Sequence, residues 1–185
     1  MKWIKVVLPV CLVTGCQWAS VADKEFMTSK TLSAYLELCR ETAVGVKSDA
    51  DHKDDWMVGA GLTTWERNAS YKVVYADAKC LSFRAEEYEY NGGAHGNKKI
   101  TVGTLDRATG KLLKAADLIP ERRRAEVLSE LYKGVVKQIG GKDQLQGKVR
   151  LIDNCYVAED GIHFVFNEYE VACYAAGAIE VAVPR

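Results

Sequence analysis

KCLSFRAEEYEYNGGAHGNKKITVGTL, residues 79–105, decides how this chain reads. Two alternating runs flank the glycine-rich centre Asn91-Gly92-Gly93-Ala94-His95-Gly96. In the first run, Leu81, Phe83 and Ala85 fall on one parity, and Tyr88 and Tyr90 on the other. Alternation of period two marks a strand with one buried face. The change of parity near Glu86–Glu87 predicts one of two things. A β-bulge would reverse the alternation by adding a residue. Otherwise the sheet is covered on one side first and on the other side later. Asn91 before Gly92 is a turn signal, and Gly92, Gly93 and Gly96 permit positive φ or a close backbone approach. Strand, turn and strand therefore follow one another here.

Working outward, strands recur and helices are few. Tyr71–Tyr75 is rich in strand formers, and Asp106–Gly110 reads as a hairpin turn before Lys111–Leu113. Asp117 suits the start of a helical region, and Pro120 is tolerated in a first turn. Leu128, Leu131, Tyr132, Val135, Val136 and Ile139 then form a stripe with helical offsets, closed by Gly140-Gly141. Residues 149–158 and 162–166 read as strands joined at Asp160-Gly161. Residues 168–172 continue in extended form, and Ile179, Val181 and Val183 alternate near the end. Leu32, Tyr35, Leu36 and Cys39 share one face of a further N-terminal helix, residues 30–42. With no βαβ rhythm, the expected class is α+β: an antiparallel sheet packed against a main helix, about 120–139.

The N-terminus is a different kind of sequence. Lys2 and Lys5 precede a short apolar run from Val6 to Val13, too short to span a bilayer and suited to a secretory signal. Leu12-Val13-Thr14-Gly15-Cys16 resembles the lipobox of bacterial lipoproteins, which implies lipidation of Cys16. The expected organisation is a lipoprotein signal peptide at 1–15, a lipidated tether at 16–27 and one domain at 28–185. Gln17 after the cysteine implies, by the same resemblance, an outer-membrane anchor facing the periplasm. The chain outside the signal is nearly neutral, which offers nothing for nucleic acid. An oxidising compartment predicts disulfides among Cys39, Cys80, Cys155 and Cys173. Of three connectivities, Cys39–Cys80 with Cys155–Cys173 joins sequence-near elements.

Little in the chain marks a catalytic set. The three histidines are His52, in a polar loop, His95, in the glycine turn, and His163, on a strand beside Val165's parity. Neither G-x-S-x-G nor S-x-x-K occurs, and the histidine and cysteine spacings suggest no metal. No cofactor is expected. Glu86, Glu87 and Glu89, and Glu168 with Glu170, are acids that a glycosidase would need in a cleft, but on an exposed strand they serve as solvated face. Arg122-Arg123-Arg124 reads as a solvated first turn. The tyrosines are more informative, because they supply rigid, partly polar contact area. Candidate ligand-binding or motif residues are Tyr88, Tyr90, Asn91, Gly92, Gly93, His95, Gly96, Tyr169 and Tyr174. His95 is expected to clasp the Tyr174–Gly177 loop.

Several strings together carry a family resemblance. They are Ser82-Phe83, Tyr88 to Asn97, Leu105-Asp106, Thr109-Gly110-Lys111, Asp117-Leu118, Asp160-Gly161-Ile162, Phe164, Phe166-Asn167, Tyr169 to Ala172 and Tyr174 to Gly177. From about residue 70 to 185, the chain resembles the domain of unknown function at the extracellular C-terminus of the anti-sigma factor RsiV. Related modules accompany peptidoglycan deacetylases such as PdaC. The resemblance implies an exported binding domain, since RsiV-like domains bind lysozyme. The chain departs from that pattern in lacking a sigma-binding segment, and in carrying Cys173 where the family has proline. The expected function is a non-enzymatic, lipid-anchored envelope protein that recognises a lysozyme-like enzyme or an envelope glycan such as a peptidoglycan fragment. The alternatives are an envelope enzyme acting on peptidoglycan or a related polysaccharide, with His95 as base or ligand, and a purely structural lipoprotein.

Overall fold

The computed structural model describes residues 66–90 and 94–185. The expected signal peptide, Cys16, the tether, the 30–42 helix, Cys39, His52 and the turn residues Asn91, Gly92 and Gly93 lie outside these residues. The described part is α+β, with two antiparallel sheets rather than one. The first is a meander of β1 (Glu66–Ala76), β2 (Cys80–Tyr90), β3 (Asn97–Asp106) and the short β4 (Leu112–Leu113). A short helix, α1 (Ala115–Leu118), and a 3₁₀ turn (Glu121–Arg123) lead into the main helix α2 (Arg124–Gln138). The second meander is β5 (Cys155–Val157), β6 (Ile162–Phe166) and β7 (Ile179–Val183). Among the described residues, no helix is long and apolar enough to cross a membrane.

The second sheet is the middle layer. Ile162, Phe164 and Phe166 of β6, with Ile179, Val181 and Val183 of β7 and Cys155 of β5, face α2 and form the main core. The helix answers with Val127, Leu131 and Val135, spaced four apart along one face. Leu128, expected in that stripe, is 37% exposed, because the buried row is centred one position earlier. Gly134 sets the depth of this contact: a Cβ there would run into the Val181 side chain. Beyond Gln138 the chain reverses at Gly140 and Gly141, both at positive φ.

The other face of the second sheet meets the first. Tyr156 and Val165 pack with Ile100 and Val102 of β3. On β2, Leu81, Phe83 and Ala85 are buried on one face, whereas Ser82 and Arg84 reach across to the second sheet. The expected bulge near Glu86–Glu87 is absent, since β2 pairs with β3 in unbroken register from Cys80↔Asp106 to Glu89↔Asn97. Tyr88 instead lies on the same parity as Ser82 and Arg84, the face that reaches the second sheet, opposite to Leu81, Phe83 and Ala85. The irregularity lies in β1, between Val73 and Tyr75.

Two asparagines join the sheets. β4 pairs with β3 only at Thr104 and Leu105, leaving Ile100 and Val102 without a neighbouring strand on that edge. Asn154 fills the gap. Its Oδ1 accepts from the Val102 amide at 2.9 Å, and its Nδ2 donates to the carbonyls of Ile100 (3.0 Å) and Val165 (2.8 Å). Asn167 does the same for Ile100, accepting from its amide at 2.7 Å and donating to its carbonyl at 3.1 Å. Buried backbone groups must find partners, and here side-chain amides replace a strand. This is also why the expected 149–158 strand is cut down to Cys155–Val157. At the far end of the seam, the Ser82 hydroxyl donates to the Val157 carbonyl at 2.7 Å, and the Val157 amide donates to Thr104 at 2.9 Å.

The expected cysteine pairs are corrected by the structure. Cys80, Cys155 and Cys173 are free thiols. Cys155 is fully buried in the core against α2, while Cys173 sits on a part-exposed loop ahead of the 3₁₀ turn Tyr174–Ala176. Burial pushes the Cys155 thiol up to about 12, and burial, with Asp77 nearby, pushes Cys80 up to about 11. Both behave as small apolar side chains rather than as nucleophiles.

Candidate functional site

Two clusters gather the residues that sequence singled out. The first lies where the start of β3 meets the loop after β6. Gly96 is buried beneath the Tyr88 ring, and a Cβ at this position would overlap that ring. This close approach is what the glycine permits; its φ is not positive. His95 stacks on Tyr174, with centroids 3.8 Å apart and planes at 20°. Its Nδ1 lies 3.1 Å from the Gly96 carbonyl and so carries the proton, and the Tyr174 hydroxyl donates to the same carbonyl at 3.0 Å. The Nε2 is then an acceptor, 3.4 Å from the Tyr169 hydroxyl. Tyr169 and Tyr174 lie 5.8 Å apart at 32°.

Tyr88, His95, Gly96, Tyr169 and Tyr174 thus form one aromatic corner, and the residues leading into β3 are tied to the C-terminal loop through His95 and Gly96. Tyr90 ends β2, next to the undescribed turn. The expected extended run 168–172 is a turn. The Asn167 amide donates to Glu170 Oε2 at 3.0 Å, and the Glu170 amide to the Asn167 carbonyl at 3.1 Å. Glu168 and Glu170 therefore do not share a strand face. Glu168 instead approaches the Lys98 amide at 3.4 Å. Burial, with Glu168 and the other tyrosines around it, raises the Tyr174 hydroxyl above its ordinary value.

The second cluster is a charged seam between the sheets. Glu180 accepts from Arg84 at 2.7 Å, from the Tyr156 hydroxyl at 2.6 Å and from His163 Nδ1 at 2.9 Å. Arg84 also donates to Glu86 at 2.6 Å, and Glu86 meets Lys98 at 2.8 Å. His163 Nε2 lies 2.8 Å from Asp160. Both ring nitrogens face carboxylates. The Lys98 ammonium, with Arg84 beside it, holds the Glu86 carboxyl at about 2 against the opposing effect of burial. Burial works to raise Glu180, but its bonds from Tyr156, His163 and Arg84 keep it below the ordinary carboxylate value. Burial and Glu180 together push the Tyr156 hydroxyl up.

Sequence reasoning named Glu86, His163 and Tyr156 singly and missed Arg84 and Glu180. The available signal was polar residues interrupting apolar alternation at 82, 84 and 86 on β2, and at 163 and 180 on the second sheet. Among the described residues, no group of three or more His, Cys, Asp or Glu is placed to hold a metal ion. Arg123 binds the Pro184 carbonyl and Glu126, and Arg124 meets Glu121, so that turn is tied locally.

These layers define an α+β domain of two antiparallel meanders with one helix packed on the outer face of the second. Residues 116–185 match the family model named Protein of unknown function (DUF3298). Residues 26–98 match the model named Deacetylase PdaC. A crystal structure of a DUF3298 family member from Bacteroides fragilis is similar in fold, with a TM-score of 0.60 and 21% identity over 73% of this chain and 59% of that one. A DUF3298 family protein from Pseudomonas aeruginosa is similar with a TM-score of 0.51 and 19% identity, over 65% of this chain and 58% of that one. The chain spans less than two thirds of the length of both, and at these identities the likeness is one of fold. No curated protein matches the chain.

Proposed function

We propose that this protein is exported, lipidated at Cys16 and held on the bacterial envelope, where it binds rather than catalyses. Its ligand is an envelope glycan or a lysozyme-like enzyme that acts on one. The N-terminal pattern of Lys2, Lys5, the apolar run and Gly15-Cys16 supports export and anchoring on the outer membrane. One observation carries the binding role: the Tyr169 ring, 59% exposed, stands beside the His95–Tyr174 stack. Rigid aromatic side chains with polar tips are what recognition surfaces use. The Nδ1 bond to the Gly96 carbonyl and the stack on Tyr174 hold the His95 ring in this corner, with its Nε2 edge toward Tyr169. The chemistry in the name of the matched deacetylase model is not assigned to this chain.

Calorimetric titration with soluble muropeptides and with c-type and g-type lysozymes tests the reading. Saturable heat is expected with at least one of them, and Tyr174→Ala should weaken that affinity by about tenfold, the loss of one aromatic contact. No heat with any ligand refutes it.

A further inference from the structure

Tyr169 is the one non-glycine residue at positive φ among those described, at 66°. A bulky side chain is disfavoured in that region, a cost that glycine would avoid. Burial does not return this cost, since the ring is 59% exposed. Its hydroxyl contact to His95, at 3.4 Å, is at the outer limit of a hydrogen bond. The backbone is nonetheless fixed from both sides: Asn167 is bonded to β3 through Ile100, and the Gln146 amide donates to the Val171 carbonyl at 3.0 Å. Strained residues persist where the surroundings over-determine them, and they gather at ligand sites. An exposed aromatic held this way is explained by something outside the chain.

The chemistry around the ring indicates what that is. Tyr169 and Tyr174 lie side by side at a shallow angle, with ring area that favours C–H groups. The polar atoms beside them are acceptors: His95 Nε2, by the tautomer its Nδ1 bond requires, and the Glu168 carboxylate, whose bond to the Lys98 amide is long at 3.4 Å. Lys98 itself is turned to Glu86. A pyranose ring offers a face of C–H groups and a rim of hydroxyl donors, which fits both features.

We propose that Tyr169 is a stacking platform for a sugar ring of an envelope glycan, with His95 Nε2 and the Glu168 carboxylate accepting hydrogen bonds from its hydroxyls. This rests on the reading of the corner as a binding site and narrows it to one ligand class. The probes are the β-1,4-linked N-acetylglucosamine tetramer, soluble muropeptides and c-type lysozyme, titrated into the intact chain and its variants.

Tyr169→Gly relieves the backbone and removes the ring. Its thermal midpoint should equal or exceed that of the wild type, while its affinity for the saccharide falls at least tenfold. Tyr169→Phe keeps the ring and should stay within about threefold. Unchanged saccharide binding by Tyr169→Gly overturns the proposal. Wild-type binding of lysozyme without either saccharide overturns the sugar assignment and leaves the binding role standing. Binding of none of the probes overturns both.

Discussion

Asn154→Ala lowers the stability of this domain by about 3 kcal/mol, the largest single loss expected from a side chain outside the apolar core. The substitution removes three hydrogen bonds at once and strands the Val102 amide and the Val165 carbonyl, both on buried residues. Each unmet buried backbone group costs about 1–3 kcal/mol. Ile100 is spared, because Asn167 also bonds its carbonyl and amide. The thermal midpoint should fall by about 6–12 °C for a chain of this size. Asn154→Asp is the discriminating control. It keeps the acceptor for Val102, loses both donated bonds and brings a charge next to carbonyl oxygens, so it should rescue little. A midpoint unchanged in both variants would mean that Asn154 does not hold the sheets together.

Glu180→Gln is the second large effect. Arg84, Tyr156 and His163 all converge on this carboxylate, and Arg84 is only 16% exposed in its side chain. Breaking a fully buried pair costs about 3–5 kcal/mol. Glu180 keeps 31% of its side-chain exposure, so about 2 kcal/mol is expected after solvent screening. The same seam sets the response to acid. Glu86 and Glu180 have folded-state values below their unfolded ones, so their contribution is present above about pH 4.5 and is lost as pH falls toward 2. Chemical denaturation across that window should show falling stability in the wild type and a shallower fall in Glu180→Gln, which keeps Glu86 and the other depressed carboxylates, Asp160 among them. Equal slopes would place the acid-sensitive group elsewhere.

How much of this was legible depends on the range of the interaction. Local signals carried well. Helical offsets marked α2, the glycines marked its end, and alternation marked β2 and β7. Leu128 was misplaced because Val127 and Leu128 differ by 100° on a helix, and only the partner sheet decides which one is covered. The division into two sheets was not legible, because it depends on Asn154 and Asn167 satisfying an edge that sequence shows no sign of leaving open. The Arg84–Glu180 pair spans 96 positions, and nothing local to either residue announces the other. The disulfide expectation failed for a related reason. Compartment and count suggested pairing, but the burial of Cys155 against α2 is a tertiary fact.

The aromatic corner shows both sides of this. Its members Tyr88, His95, Gly96, Tyr169 and Tyr174 were named from the sequence by their residue types and by the family resemblance. The stack of His95 on Tyr174 and the contact of Gly96 with Tyr88 are geometric, and so is the positive φ of Tyr169. That last feature has no sequence signature at all, since glycine or asparagine is the usual occupant of such a position.

This corner is the proposed place where the protein meets its ligand. Backbone amide shifts recorded by NMR during titration with soluble muropeptides and with lysozyme test it most directly. The account predicts saturable changes centred on Tyr88, His95, Gly96, Tyr169 and Tyr174, with the α2 face at Val127, Leu131 and Val135 unaffected. Changes centred on another face, or no changes with either ligand, would contradict it.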